Sequence, residues 1–520
     1  MATVPIGDLT EATLALVVQP RASRAKWRWM IGAGLASPLI YGLYLGFIAF
    51  IPLHLTHKTV YLFSAFKGGN AEPFIYALAV VVLFALAAVA WRVASDLPES
   101  SLRFLALIPP VVSALFLYLT LPLTSRDIFY YIIEGRVLGI HVANPYLQPP
   151  SAFPNDPLFP YTNWPDYTSP YGPLWLLLSA GLALLAGESL LWNVCLFKVI
   201  AVLGYFACAG LIGAILRACG RPVLPGVVLW LWNPLVLLEY PGAGHNDVLM
   251  LAAVLLGLWL YLSSRARLAL AAVAAAATVK WVALVILPLL LWHQLAPLAS
   301  WRVRAWAAVR LTWLSLLIIG VTFGAFWAGE ATFGPVREAS HYYSSIGHVV
   351  RIVLEWFVSP RLASGLVRAT IALALAAGYL VIMWRVPGDT ERLLDGAVWA
   401  MFLLLVLWPF FVPWYCVWAV ALVATLGARR RGWQTLILCA AAMLSYLLQL
   451  YLPLRMALSF GVRSSLSAFL IFGSLALSFI PWGALTRCVM ERVAAGRGRR
   501  CATRGLRAAH AQHHQCRLNC

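Results

Sequence analysis

Long apolar runs alternate with short polar connections along almost the whole chain. Three runs fall near residues 29–53, 74–93 and 102–122, and a polar stretch follows from 124 to 170. Further runs lie near 171–187, 191–216, 222–240, 247–263 and 268–297. A last group falls near 309–328, 364–385, 395–411, 413–427, 433–453 and 465–484. A helix needs about 20 apolar residues to cross roughly 30 Å of hydrocarbon. The pattern therefore predicts an all-α polytopic membrane protein with about 12–14 transmembrane helices. Composition agrees. Of the 520 residues, 62% are hydrophobic and 11% charged, too apolar for a soluble chain to cover its own core.

The formal net charge of +19 raises nucleic-acid binding as a reading, but the Lys and Arg residues are not gathered in one domain. They sit in short clusters between apolar runs, as positive-inside topology requires. Arg21, Arg24, Lys26 and Arg28 place the N-terminus in the cytoplasm, and Arg92 and Arg103 flank the next inside loop. The 124–170 stretch then lies outside. Arg217 and Arg221, Arg265 and Arg267, Arg302 and Arg304, and Arg429 to Arg431 mark further inside loops. Two runs cannot be simple crossings on this topology. Segment 171–187 is expected to lie in or dip into the outer leaflet. Segment 268–297 is expected to go out and come back, turning near Thr278-Val279-Lys280. The first 28 residues carry Asp8 and Glu11 and no apolar core before Trp27, so no cleavable signal peptide is expected. Residues 29–486 form the membrane domain, and 487–520 a basic cytoplasmic tail suited to anionic lipid. The nine Cys residues show neither zinc spacing nor a disulfide framework.

Candidate chemistry concentrates outside. Asp127, Tyr130, Tyr131 and Glu134 recur at helical spacing and share one face. The other face, Ile128, Phe129 and Ile132, suits a helix lying on the lipid surface. Asp127 can be a helix cap or a base that takes a proton from an acceptor hydroxyl. Glu134 can be functional or an ion-pair partner of Arg126 or Arg136. The loop beyond runs from Asn144-Pro145-Tyr146 to Ser169-Pro170-Tyr171-Gly172-Pro173. It is dense in proline and aromatic residues, as suits an ordered loop offering ring faces to sugars, or an interfacial belt. Trp232-Asn233-Pro234 precedes Glu239-Tyr240-Pro241-Gly242-Ala243-Gly244-His245-Asn246-Asp247. That turn can bind a phosphate, hydroxyl or metal, or simply start a helix. Lys280, Arg337 and His341 offer positive or ionisable groups near the outer headgroups. Pro413-Trp414-Tyr415 marks a broken helix pair. Neither a DxD pair nor a His/Cys cluster appears, so a divalent metal is possible but not demanded.

These motifs, in this order, resemble the GT-C superfamily of glycosyltransferases, and among them the bacterial polyprenyl-phosphomannose-dependent α-mannosyltransferases. The resemblance rests on Ser125-Arg126-Asp127 with Tyr130 or Tyr131, Asn144-Pro145-Tyr146 and Ser169-Pro170-Tyr171-Gly172-Pro173. It continues through Asn233-Pro234, Gly244-His245-Asn246-Asp247, Val279-Lys280 and Pro413-Trp414-Tyr415. It implies a large external first loop with juxtamembrane helices, a catalytic carboxylate at Asp127, and inversion at the anomeric carbon. The implied donor is a sugar on a polyprenyl phosphate and the implied acceptor a glycolipid or glycan. A second acid beside Asp127, seen in several relatives, is missing here, which leaves metal use open. Donor-phosphate or substrate contacts are expected from Arg126, Tyr130, Glu134, Asn144, Tyr146, Tyr171, His245, Asn246, Asp247, Lys280, Arg337, His341, Trp414 and Tyr415. A transporter or lipid flippase is the alternative. It predicts an internal repeat, and the proline-rich loop has no counterpart in the second half.

Overall fold

A computed structural model describes residues 21–44, 71–95, 103–122, 124–333, 342–427, 429–451 and 459–479. Among these residues the chain is helical, with no β-strand and one isolated bridge between Tyr343 and Phe410. It is a polytopic all-α membrane protein. Arg337, His341 and the tail beyond 479 lie outside the described residues.

The first helices are α1 (Arg21–Tyr44), α2 (Glu72–Ala94) and α3 (Arg103–Tyr118). Two loop-associated helices follow, α4 (Asp127–Gly139) and α5 (Pro173–Ala186), then the long α6 (Leu190–Ala218). Next come α7 (Val223–Leu231) and α8 (Pro234–Gly242), bent by 54° where Asn233 caps α8 and Pro234 cannot continue α7. Then α9 (Asp247–Leu262), α10 (Ala266–Ala277), α11 (Leu287–Leu295) and α12 (Trp301–Gly324) complete the first half. The remainder comprises α13 (Ile346–Leu354), α14 (Pro360–Arg385), α15 (Thr390–Leu407), α16 (Cys416–Ala424), α17 (Arg429–Tyr446) and α18 (Phe460–Ser478).

Among the described residues, six helices are long and apolar enough to cross a membrane, or seven with the bent α7–α8 pair. Several of the apolar runs are split into shorter helices instead. The run at 171–187 forms the 14-residue α5, too short to cross. The run at 268–297 breaks after Ala277, passes through a 3-10 turn at Trp281–Val285 and resumes as α11. Polar backbone at such a break is tolerable only when buried in protein. Here the carbonyls of Thr278 and Val279 accept hydrogen bonds from the N–H groups of Leu174 and Gly172.

Helix α4 corrects the expectation of a helix lying on lipid. Every residue from Ile128 to Val137 is buried, so both its faces are packed. Helix α5 lies against it closely enough for Gly135 to meet the Ser179 backbone. The apolar face chosen from periodicity covers protein, not lipid.

Candidate active site

One end of the bundle collects the polar side chains. The loop after α3, the ends of α8 and α10, the start of α9 and the strand-like passage from α15 to α16 all meet there. Asp127 opens the first turn of α4, where the helix dipole favours a negative charge. Arg126, not Asp127, occupies the cap position, so the capping role suggested by the sequence is not taken. The Asp127 carboxylate keeps 19% of its surface open and lies 3.9 Å from Nδ1 of the buried His245.

His245 is clamped. Its Nε2 is 3.1 Å from Oε2 of Glu239, and its ring stacks on Trp414 with centroids 4.3 Å apart. Glu239 sits in a π-helical turn, Leu238–Gly242, a form of helix often found at functional sites. It accepts a 2.6 Å hydrogen bond from the Tyr446 hydroxyl and one from Thr124. The turn that delivers His245 depends on Gly244, whose φ of +77° strains any side chain and where a Cβ would also meet the tip of Ile128 at 2.8 Å. Tyr131 lies one turn beyond Asp127. Its hydroxyl is 3.4 Å from both His245 Nδ1 and Asn246 Oδ1.

A second ion pair stands beside this chain. Lys280 donates a 2.8 Å hydrogen bond to Asp247, and Trp418 donates at 2.6 Å to the same oxygen. The ammonium also lies over the rings of Tyr415 and Trp418, at 5.0 and 5.5 Å from their centroids. Cation–π contact and a buried carboxylate together hold a charge that would otherwise be costly at this depth. The break after α10 exists to place Lys280, and Gly172 locks it. A Cβ at Gly172 would fall 2.1 Å from the Thr278 carbonyl oxygen.

Comparison with known proteins bears on this geometry. The family model for the alpha-(1->6)-mannopyranosyltransferase N-terminal domain matches residues 43–296, and that for the MptB C-terminal domain matches residues 343–482. Alpha-(1->6)-mannopyranosyltransferase A of Corynebacterium glutamicum is 25% identical over 64% of this chain and 72% of its own length. The Mycobacterium tuberculosis protein of the same name is 27% identical over 61% of this chain and 64% of its own. Alpha-(1->6)-mannopyranosyltransferase B of Corynebacterium glutamicum is 24% identical over 71% of this chain and 66% of its own. The chain is a membrane mannosyltransferase that resembles these bacterial enzymes. No solved structure matches it significantly.

The candidate residues divide into two groups. Asp127, His245, Asn246, Asp247, Lys280, Trp414 and Tyr415 converge on one cluster. The others shape the loop above it. Tyr130 donates to the Tyr167 carbonyl, Asn144 to the Phe326 carbonyl, and Tyr146 to the Tyr171 carbonyl. Arg126 reaches the Tyr161 carbonyl at 3.5 Å. Tyr171 packs edge-on against Tyr131. Glu134 is buried, and the ion pair open to it from the sequence is not with Arg136. That guanidinium grips Asp156 at 2.8 Å and the Gly187 carbonyl. His141 completes the Asp156 cage at 2.7 Å. Burial opposes the Asp156 carboxylate, but Arg136, the Leu158 amide and His141 hold it below the ordinary carboxylate range.

Sequence reasoning missed Tyr446, Trp418 and Lys198. Trp418 is one helical turn from Trp414, a spacing that could have found it. Lys198 is the one basic residue in the interior of α6 and is fully buried, the pattern of a functional intramembrane charge. Its ammonium donates to the carbonyls of Leu117 and Thr120, closing the C-terminal end of α3 just before the Asp127 segment. Tyr446 carries no such signal, because it meets Glu239 across 207 residues. Among the described residues, no three His, Cys, Asp or Glu side chains group as a metal site.

Proposed function

We propose that the protein transfers mannose from a polyprenyl-phosphate donor to a hydroxyl of a glycolipid or glycan, on the extracytoplasmic face, with inversion. The observation that carries this reading is Asp127, a partly open carboxylate beside the buried His245, Asn246 and Asp247. An acceptor hydroxyl reaching the rim gives its proton to Asp127 as its oxygen attacks the anomeric carbon. The bond from that carbon to the phosphate oxygen breaks in the same displacement. His245, held between Glu239 and Asp127, steadies the carboxylate before transfer and shares the proton's charge after it. Lys280, with the contributions expected of Arg126 and Arg337, neutralises the polyprenyl phosphate, a phosphate monoester, that leaves. Such a leaving group is stable as an anion and needs no acid, so one carboxylate serves where a glycosidase uses two.

The relatives are named for α-(1→6) transfer. If this chain makes the same linkage with inversion, its donor carries mannose in the β configuration. The basic clusters between the apolar runs support an extracytoplasmic site, since they put the polar end of the bundle on the side away from them.

The test is transfer of radiolabelled mannose from polyprenyl-phosphomannose to membrane glycolipid, comparing wild type with Asp127→Asn at equal protein level. Loss of a general base predicts a fall of roughly 10²–10⁴-fold. Full transfer by the variant would remove Asp127 from its role. Transfer only from other polyprenyl-phosphate sugars would keep the reaction and discard mannose.

A further inference from the structure

The end of the bundle remote from Asp127 contains a different kind of site. Three helices measure the separation. Helix α15 starts there at Thr390 and, after 18 residues or about 27 Å, leads into Trp408 and on to Trp414. Helix α16 starts beside Asp247 through Trp418 and ends at Ala424, followed by Thr425, whose carbonyl accepts a hydrogen bond from Arg221. Helix α17 carries Arg431 near its start and Tyr446, the partner of Glu239, at its end.

Between α14, α15, α17 and α18 at this remote end lies a cleft of about 1250 Å³. That exceeds the roughly 300–1,000 Å³ of most small-molecule sites. Its chemistry is split. The interior is apolar, lined by Trp399, Phe402, Leu403, Val406 and Leu475. The mouth carries four guanidinium groups, Arg221, Arg385, Arg392 and Arg431, and two carboxylates, Glu391 and Asp395. Arg221 engages Glu391 and Arg431 engages Asp395. Neither Arg385 nor Arg392 has a carboxylate partner among the described residues.

We propose that this cleft binds one anionic phospholipid, with its phosphate between Arg385 and Arg392 and its acyl chains along the apolar interior. A long apolar cleft asks for a chain, and two uncommitted guanidinium groups at its mouth ask for a phosphate. A zwitterionic headgroup would bring its own cation to that mouth. The chain's own C-terminal segment is a poor occupant, since Arg487, Arg492, Arg497, Arg499 and Arg500 would bring like charge to it. Because α15, α16 and α17 run from the cleft to the catalytic cluster, the bound lipid also braces the helices that carry Trp414, Trp418 and Tyr446.

The test uses the full chain purified in detergent, with phosphatidylglycerol, phosphatidylcholine and inorganic phosphate as probes. Native mass spectrometry counts bound lipid, and thermal unfolding reports stabilisation by a ligand that binds the folded state. Phosphatidylglycerol should bind and raise the midpoint, and the Arg385→Gln/Arg392→Gln double variant should bind it roughly thirtyfold more weakly. Equal effects of phosphatidylcholine would overturn the proposal. So would protection by inorganic phosphate alone, or undiminished binding by the double variant. Should that variant fail to fold, a photoactivatable phosphatidylglycerol on the wild type decides the matter. Label on peptides spanning residues 385–406 supports the site, and label only elsewhere sinks it.

Discussion

Two loop helices, α4 of 13 residues and α13 of nine, are packed in very different ways. Helix α4 carries Asp127 and is buried from Ile128 to Val137. Helix α13, in the second long loop, buries only Gly347 and His348. Its Val350 and Val353 are exposed, as are Trp356 and Phe357 just past its end, at 76% and 77%. The sequence of α4 suggests a helix on the lipid surface, yet α13 is the one that leaves apolar residues exposed. What separates them is a partner. Helix α5 covers α4 from one side while α6 and the 144–172 loop close the other, and among the described residues nothing comparable covers the outer face of α13. The helix that carries Asp127 is enclosed, and α13 is left open among the described residues.

The glycines of the two helices sharpen the comparison most. A Cβ at Gly135 would lie 2.3 Å from the backbone oxygen of Ser179, which cannot move without moving α5. Gly135→Ala should therefore cost about 3 kcal/mol and most of the transfer activity, read by thermal unfolding and the mannose assay. A Cβ at Gly347 would meet the tip of the Ile371 side chain at 2.9 Å. That tip can rotate away, so Gly347→Ala should cost less than about 1 kcal/mol. Equal losses at the two sites would mean that α13 is as tightly enclosed as α4.

A smaller effect should appear with acid. The Asp156 carboxylate is held below its ordinary value of 3.8, so it adds stability that is fully present above that pH. The contribution fades as pH falls below 3.8 through the folded-state value. Proteolysis of the 141–170 loop should increase over that window in wild type, and Arg136→Gln should show loosening already at neutral pH. Loss of the loop at neutral pH in wild type, or no acid response at all, would contradict the Asp156 cage. The smallest effect belongs to α13. Trp356→Ser should change stability by within about 0.5 kcal/mol while weakening the loop's quenching by lipid-borne probes.

Much of this architecture was legible in the chain. The apolar runs at 191–216 and 247–263 coincide with α6 and α9 to within two residues at each end. The turn at Thr278-Lys280 was readable because a lysine inside an apolar run has to be accommodated by a break or a partner, and here it has both. The grouping of Asp127 with His245-Asn246-Asp247, Lys280 and Trp414 followed from motifs that topology sends to one end. Periodicity failed for α4 because it ranks the faces of a helix but does not say whether lipid or another helix covers the apolar one. It also could not pair Tyr446 with Glu239, or Arg136 with Asp156, since such choices depend on distances that exist only once the bundle has closed.

The Lys280–Asp247 pair also has a meaning for how the protein is made. Helix α9 is synthesised 33 residues before the lysine that neutralises its first carboxylate. Glu239 waits longer, since Tyr446 follows it by 207 residues, or about 10–40 s of translation. Through that interval Glu239 has only Thr124 and His245 of its partners. The polar cluster is therefore among the last things the polypeptide completes, and a chain that stops before Tyr446 lacks one of the hydrogen bonds that hold it.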